Sequence, residues 1–159
     1  MQRHLVSALT VLALLALAGS ALAHCQIPCG IYDDELRVKL IEEDITTIEK
    51  SMQEITSLST KTPVNFNQLV RWVMNKEEHA DKIMEIVSDY FMSQRIKKPT
   101  ETTGDEYQAY VSRLTLLHEM MVTAMKAKQT TDLDNVEKLR ELVGKFRVAY
   151  FGEEAEHSH

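Results

Sequence analysis

The feature that most constrains the fold is the spacing of apolar residues between positions 34 and 152, which recur every three or four positions in four long segments. Residues with this period share one face of an α-helix, whereas half-buried strands alternate, and no stretch here alternates over more than a few residues. The four stripes are Val38, Ile41, Ile45, Ile48, Met52 and Ile55; Phe66, Leu69, Val73, Ala80, Ile83, Val87 and Tyr90; Tyr107, Tyr110, Leu114, Leu117, Met121 and Met125; and Val136, Leu139, Val143, Phe146 and Tyr150. Four amphipathic helices with short connections predict an all-α chain that folds as an antiparallel four-helix bundle.

Two capping pairs and one interruption are expected within these segments. Asn65 precedes the second stripe with Gln68 three residues later, and Thr131 precedes the fourth stripe with Asp134 in the same relation. This spacing is typical of the start of a helix. Lys76 interrupts the second apolar stripe, so we expect the helix to bend or to meet solvent there.

The first 23 residues have the pattern of a signal peptide. One basic residue, Arg3, precedes an apolar run from Leu5 to Ala18, and small residues follow at positions 21 and 23. The run is too short to span a bilayer but suits the apolar core of a signal peptide. We therefore predict cleavage after Ala23, a periplasmic or secreted location, and no stable membrane association of the cleaved chain.

Composition and motifs exclude several classes of function. The 159 residues carry a formal net charge of −6 and no basic run, so no nucleic-acid partner is expected. The sequence contains no Ser–His–Asp set and no glycine-rich phosphate loop, and its helical segments lack the Glu-x-x-His pairs of metal-binding bundles. His118, beside Leu117 on the third stripe, is expected to be a hydrogen-bonded core histidine.

The residues that follow the predicted cleavage site offer metal-binding chemistry. Cleavage exposes the α-amine of His24 beside its imidazole, and Cys25 and Cys29 add two thiols within six residues. An α-amine and the next amide nitrogen form a five-membered chelate, two thiolates complete a plane, and the imidazole is left for an axial position. Cu(II) and Ni(II) favour tetragonal or square-planar geometry. Two nearby cysteines in an exported chain also suit a disulfide, so the residues alone leave both alternatives open.

This N-terminal segment resembles that of nickel superoxide dismutases. The likeness lies at the predicted mature N-terminus, ahead of a predicted four-helix bundle, and is carried by His24, Cys25, Pro28, Cys29, Gly30, Tyr32 and Asp33. A second likeness is the sequence Ser-Asp-Tyr-Phe at positions 88–91, late in the second helical segment.

The resemblance implies a metal site, a substrate and an assembly. The nickel ligands are expected to be the α-amine and imidazole of His24, the amide nitrogen and thiolate of Cys25, and the thiolate of Cys29, with one nickel ion per subunit. Tyr32 is expected near the open axial face, where it helps admit superoxide and order water, and Tyr90 is expected to join it. The family assembles as a homohexamer, so a homohexamer is expected here.

The sequence also departs from the family pattern. Gln26 stands where the family often has Asp, and Asp34 stands where it often has Pro. The arginine that supports the axial imidazole in the family has no clear counterpart, and the nearest candidate by position is His79. The acidic partner of His79 is expected to be Glu42 or Glu43.

Together these features predict an exported nickel superoxide dismutase that converts superoxide to oxygen and hydrogen peroxide by Ni(II)/Ni(III) cycling. The expected organisation is a cleaved signal peptide at 1–23, a nickel-binding hook at 24–33, a four-helix bundle at 34–152 and a disordered tail at 153–159. One alternative is a periplasmic helical bundle that binds copper or nickel without catalysis. Another is a structural or interaction bundle with an incidental disulfide.

Overall fold

The computed structural model describes residues 30–152, which form four helices joined by short loops. Helix α1 is Asp34–Ser59, α2 is Phe66–Glu85, α3 is Asp105–Gln129 and α4 is Asp134–Phe151; α2 continues directly into a π-helical segment, Ile86–Arg95, here called the π segment. No strand occurs between residues 30 and 152, so the all-helical prediction is confirmed for this part of the chain. The predicted signal peptide, most of the predicted hook and the predicted tail lie outside the described residues.

Each helix packs against the next one along the chain, and α4 also packs against α1, which closes the bundle. The start of α1 lies beside the ends of the π segment and of α4, since Asp34 hydrogen-bonds to Arg95 and Tyr150. The four helices and Tyr32 belong to one compact unit, whose first residue is Tyr32. Within residues 30–152, every helix is too short or too polar to cross a membrane.

The apolar core follows the predicted stripes of α1 and α4 closely. In α3 the buried face differs from the predicted one: Met120 and Ala124 are buried, whereas Met121 is half-buried and Met125 is exposed. The first turns of α2 also differ from the prediction, because Phe66, which was placed on the buried stripe, is 69% exposed. The fully buried large side chains are Phe91, Phe146, Ile41, Ile45, Ile48, Met52, Ile83, Leu117, Met120, Leu139, Leu142 and Val38.

One of the two predicted capping pairs is confirmed. The side chain of Asn65 accepts a hydrogen bond from the backbone N–H of Gln68 at 3.2 Å. The predicted pair at Thr131 and Asp134 is wrong, because the N–H of Asp134 donates instead to the carboxylate of Asp132 at 3.1 Å. Asp side chains favour this contact with an N–H two residues later, which competes with a capping box.

The expectation that Lys76 bends its helix or meets solvent is wrong. Lys76 is 3% exposed, and α2 runs through it without a break. Its ammonium group donates to the backbone carbonyls of Ala127 at 2.8 Å, of Thr130 at 3.2 Å, and of Lys128. These carbonyls lie at the end of α3, where the last four C=O groups of a helix lack intrahelical partners. Lys76 therefore caps α3 from a neighbouring helix.

The π segment changes which side chains of the second helical stretch share a face. In a π-helix the hydrogen bonds run from residue i to residue i+5, and short stretches of this kind are frequent at functional sites. The N–H of Ile96 donates to the carbonyl of Phe91 at 2.9 Å, which is a bond of this type at the end of the segment. The same five-residue spacing separates Tyr90 from Arg95, whose side chains meet at one carboxylate.

Candidate functional site

The structure brings together the two tyrosines that the sequence singled out. The rings of Tyr32 and Tyr90 lie edge to face, with centroids 5.9 Å apart and an interplanar angle of 75°. The predicted metal ligands His24, Cys25 and Cys29 lie outside the described residues. The described part of the site is therefore the tyrosine pair and the groups around it, at the end of the bundle where α1 begins.

Tyr32 is the accessible member of the pair. Its side chain precedes α1 and is 41% exposed, and its hydroxyl points to the side-chain oxygen of Gln94 at the long distance of 3.5 Å. The guanidinium carbon of Arg95 lies 4.3 Å from the centre of the Tyr32 ring. A cation at this distance from an aromatic face is attracted by the negative charge of that face. The ring of Tyr32 is thus held mainly by its contacts with Tyr90 and Arg95, while its hydroxyl stays near solvent.

Asp34, in the first turn of α1, collects hydrogen bonds from three side chains. Tyr90 donates its hydroxyl at 2.6 Å and Tyr150 donates its hydroxyl at 2.8 Å. Arg95 donates from Nε at 2.8 Å and from Nη2 at 2.7 Å, which is a two-pronged ion pair. Such bidentate contacts fix orientation as well as charge. Asp34 therefore ties the start of α1 to the π segment and to the last turn of α4.

The protonation states of this cluster follow from its hydrogen bonds. Burial raises the pKa of Asp34. The hydrogen bonds from Arg95, Tyr90 and Tyr150 lower this pKa by more than burial raises it, so the pKa lies below the ordinary 3.8. Burial and the bond to Asp34 raise the pKa of Tyr90, and the same causes raise the pKa of Tyr150 to about 12. The bond to Asp34 raises the pKa of Arg95 despite partial burial. At neutral pH the carboxylate is ionised and both phenols are neutral donors.

A second arginine lies against Tyr90, the buried member of the tyrosine pair. The guanidinium carbon of Arg37 is 5.0 Å from the centre of the Tyr90 ring. Its Nε atom is buried and has no hydrogen-bond partner among residues 30–152. Because Tyr90 is also packed edge to face on Phe91, with centroids 5.1 Å apart, its ring is enclosed and its hydroxyl is committed to Asp34.

The acidic partner predicted for His79 is wrong. The Nδ1 atom of His79 lies 2.6 Å from Oδ1 of Asp44, while Glu42 and Glu43 are exposed. Asp44 is buried because it shares the inward face of α1 with Ile41, Ile45 and Ile48, and the two glutamates lie on other faces. Asp44 follows Asp34 by ten residues, about 15 Å along the helix. The His79–Asp44 pair is therefore separate from the tyrosine cluster.

No group of three or more His, Cys, Asp or Glu side chains within residues 30–152 is arranged to hold a metal. The prediction that His118 is a core histidine is wrong, since its side chain is exposed.

Both cysteines of the sequence, Cys25 and Cys29, belong to the predicted hook. Thiolate sulfurs with an amine and an amide nitrogen suit a tetragonal transition metal, so the chemistry of the hook donors fits nickel.

Three residues of this cluster were not predicted as site residues. Asp34 was noted only as a departure from a family pattern, and Arg95 and Tyr150 were not singled out. The pairs Asp34–Arg95 and Asp34–Tyr150 are separated by 61 and 116 residues in the sequence. The signals available were an acidic residue directly after the Asp33 cap, a tyrosine at the end of the fourth apolar stripe and an arginine five residues beyond the second stripe, and none of them is specific.

Comparison with known proteins identifies the family. The family model described as nickel-containing superoxide dismutase matches residues 19–154, which include the hook motif and all four helices. No curated protein and no solved structure gave a significant match. The predicted hook donors fit the metal in the family description. The chain belongs to the nickel-containing superoxide dismutase family, and it is an oxidoreductase that acts on superoxide and contains nickel.

Proposed function

We propose that this enzyme is exported, loses residues 1–23, and binds one nickel ion per subunit at the new N-terminus. The proposed ligands are the α-amine and imidazole of His24, the amide nitrogen and thiolate of Cys25, and the thiolate of Cys29. Nickel supplies one-electron chemistry between its divalent and trivalent states, with which superoxide is converted to oxygen and hydrogen peroxide. The remaining tasks, admitting the anion and ordering water, are assigned to side chains of the bundle.

The observation that carries this proposal is that the exposed ring of Tyr32, a residue of the predicted hook, packs on Tyr90. Only Gly30 and Ile31 separate Cys29 from Tyr32 in the sequence. Chain connectivity thus supports a nickel site close to the tyrosine pair.

The two tyrosines are assigned different tasks. The hydroxyl of Tyr90 is committed to Asp34 and its pKa is raised, by burial and by that hydrogen bond, which disfavours loss of its proton. The contribution of Tyr90 is to support the ring of Tyr32 from the core side by their edge-to-face contact. Tyr32 has a weakly held hydroxyl at the surface, so it is the member that can hydrogen-bond to water or to the incoming anion.

A homohexamer is part of the proposal, and the outer face of α2 supports association between copies. Phe66, Val70 and Met74 recur every fourth residue, and they are 69%, 53% and 66% exposed. A stripe of this kind on one helix is typical of a protein–protein contact, since monomers rarely expose contiguous apolar patches. Sedimentation of the mature chain and of Met74→Glu tests this: the variant should dissociate, and an unchanged mass contradicts the use of this face.

The nickel site is tested by extending the N-terminus by one residue. A form that begins at Ala23 turns the α-amine of His24 into an amide and removes a donor. We expect this form to fold with the parent's far-UV circular dichroism but to consume no superoxide in stopped-flow assays. The matched control carries one extra alanine after His159 and should keep nickel and activity. Full activity of the Ala23 form contradicts the proposed ligand set.

The thiolate ligands are tested by Cys25→Ser and Cys29→Ser. Both variants should lose nickel, measured by elemental analysis, while the helices stay folded. Retention of stoichiometric nickel and activity by either variant contradicts the site and favours a different metal centre.

Export is tested by fractionating cells that produce the full chain. A periplasmic or secreted product that begins at His24 is expected, and a cytoplasmic product that still begins at Met1 contradicts export.

A further inference from the structure

The position of the Tyr32 ring depends on side chains from the π segment. Tyr32 precedes the Asp33 cap and lies outside α1, so no helical hydrogen bond fixes its backbone. Its hydroxyl contact with Gln94 is 3.5 Å long. The close contacts of its ring are the ring of Tyr90, packed edge to face, and the guanidinium of Arg95, 4.3 Å from the ring centre.

Arg95 is itself fixed by a second contact. Two of its nitrogens donate to the two carboxylate oxygens of Asp34, at 2.8 Å and 2.7 Å. The planar guanidinium forms both donor contacts with its edge, which leaves its face free to lie over an aromatic ring. A lysine ammonium has no plane and offers neither the two-pronged geometry nor the stacked face. The ion pair with Asp34 therefore sets the place at which Tyr32 can stack.

We propose that Arg95, anchored by Asp34, is a positioning residue that holds the Tyr32 ring against Tyr90 at the entrance to the site. This inference rests on the proposed role of Tyr32 in the reaction. Arg95 acts through Tyr32 and does not itself need to touch the substrate. Loss of one cation–aromatic contact at a partly exposed site is expected to reduce kcat/KM about threefold to tenfold.

A double-mutant cycle on the nickel-loaded enzyme tests whether Arg95 acts through Tyr32. The variants are Arg95→Gln, Tyr32→Leu and the pair together, and kcat/KM for superoxide is measured for each. If Arg95 acts by holding the ring, Arg95→Gln lowers kcat/KM in the parent but has no further effect in Tyr32→Leu. Arg140→Gln is the matched control, because Arg140 pairs with Glu49 on the surface at 2.6 Å and should leave activity unchanged.

A second measurement reads the ring directly. Ring resonances of Tyr32 in the nickel-loaded protein are assigned by comparison with Tyr32→Phe. In Arg95→Gln these resonances should move towards random-coil shifts, in Arg95→Lys they should move part of the way, and in Arg140→Gln they should not move. Arg95→Lys keeps the charge beside Asp34, so it provides a folded variant if Arg95→Gln is unstable.

The outcomes separate this inference from the proposed role of Tyr32. If Tyr32→Leu keeps the parent's kcat/KM, the role of Tyr32 is wrong and this inference is wrong with it. If Tyr32→Leu is impaired but the Arg95→Gln effect is the same in both backgrounds, only the positioning role is overturned. Unchanged Tyr32 resonances in both Arg95 variants overturn it as well.

Discussion

Replacing the buried Lys76 by methionine should destabilise the bundle strongly, although the new side chain has a similar length and is apolar. The ammonium group of Lys76 donates to three backbone carbonyls at the end of α3, and the bond to Ala127 is fully buried. Methionine fills the space of the aliphatic stem but offers no donor. The carbonyl of Ala127 is then left without the partner that it has in the parent.

The magnitude follows from these contacts. A hydrogen bond to a charged group contributes a net stabilisation of about 1.5–3 kcal/mol, and the variant loses one such bond at the carbonyl of Ala127. The carbonyls of Lys128 and Thr130 are only partly buried, so water replaces the ammonium there at little cost. The favourable position of a cation at a helix C-terminus adds about 0.3–1 kcal/mol. The expected loss is about 2–4 kcal/mol.

Urea unfolding followed by circular dichroism, at one fixed protein concentration, measures this loss. The control is Lys82→Met on the same helix, whose ammonium forms an exposed ion pair with Glu78 at 2.8 Å. Exposed pairs of this kind contribute little, so the control should stay within about 0.5 kcal/mol of the parent. A Lys76→Met variant as stable as Lys82→Met would refute the capping role.

Phe91→Ala should lower the free energy of unfolding by about 3–5 kcal/mol, because its fully buried ring contacts Phe146; a loss under 1 kcal/mol in urea contradicts this packing. The pKa of Asp34 is depressed in the folded state, so its contribution exists above pH 3.8 and disappears as pH falls through the folded pKa. The stability difference between the parent and Asp34→Asn should therefore shrink in urea titrations from about pH 7 to about pH 2, and a widening difference is inconsistent with it. Nickel-free mature protein should form a Cys25–Cys29 disulfide in air and take up nickel only after reduction, and thiols that persist by mass spectrometry argue against this.

Local sequence signals predicted the helices well and their contacts poorly. The apolar stripe of α4 and the Asn65 cap depend on residues within one or two turns, and both were found in the structure. Lys76 interrupted a stripe, and the sequence offered no sign of its carbonyl acceptors, which lie 51 to 54 residues away. His118 follows the buried Leu117 by one position, which is about 100° around the helix and enough to reach solvent.

The candidate site shows the same division. The pair Tyr32 and Tyr90 was predicted from a family resemblance, and the structure places their rings in contact. Asp34, Arg95 and Tyr150 meet only because three helix ends converge, and no local pattern records such a convergence. The five-residue spacing of Tyr90 and Arg95 would place them on different faces of a regular α-helix, so helical periodicity does not predict that their side chains meet.

The π segment makes chain length itself a property of the site. Deleting one residue between Ile86 and Arg95 would allow this stretch to relax into a regular α-helix. Because a π turn takes up about one residue more than an α turn, the side chains after such a deletion would keep roughly their present directions. A regular α-helix of unchanged length would instead turn Arg95 away from Tyr90, and its guanidinium would leave both Asp34 and Tyr32. Related sequences that share the tyrosine pair but are one residue shorter here should therefore keep the arginine–aspartate anchor on a regular α-helix, with the arginine four residues after the tyrosine.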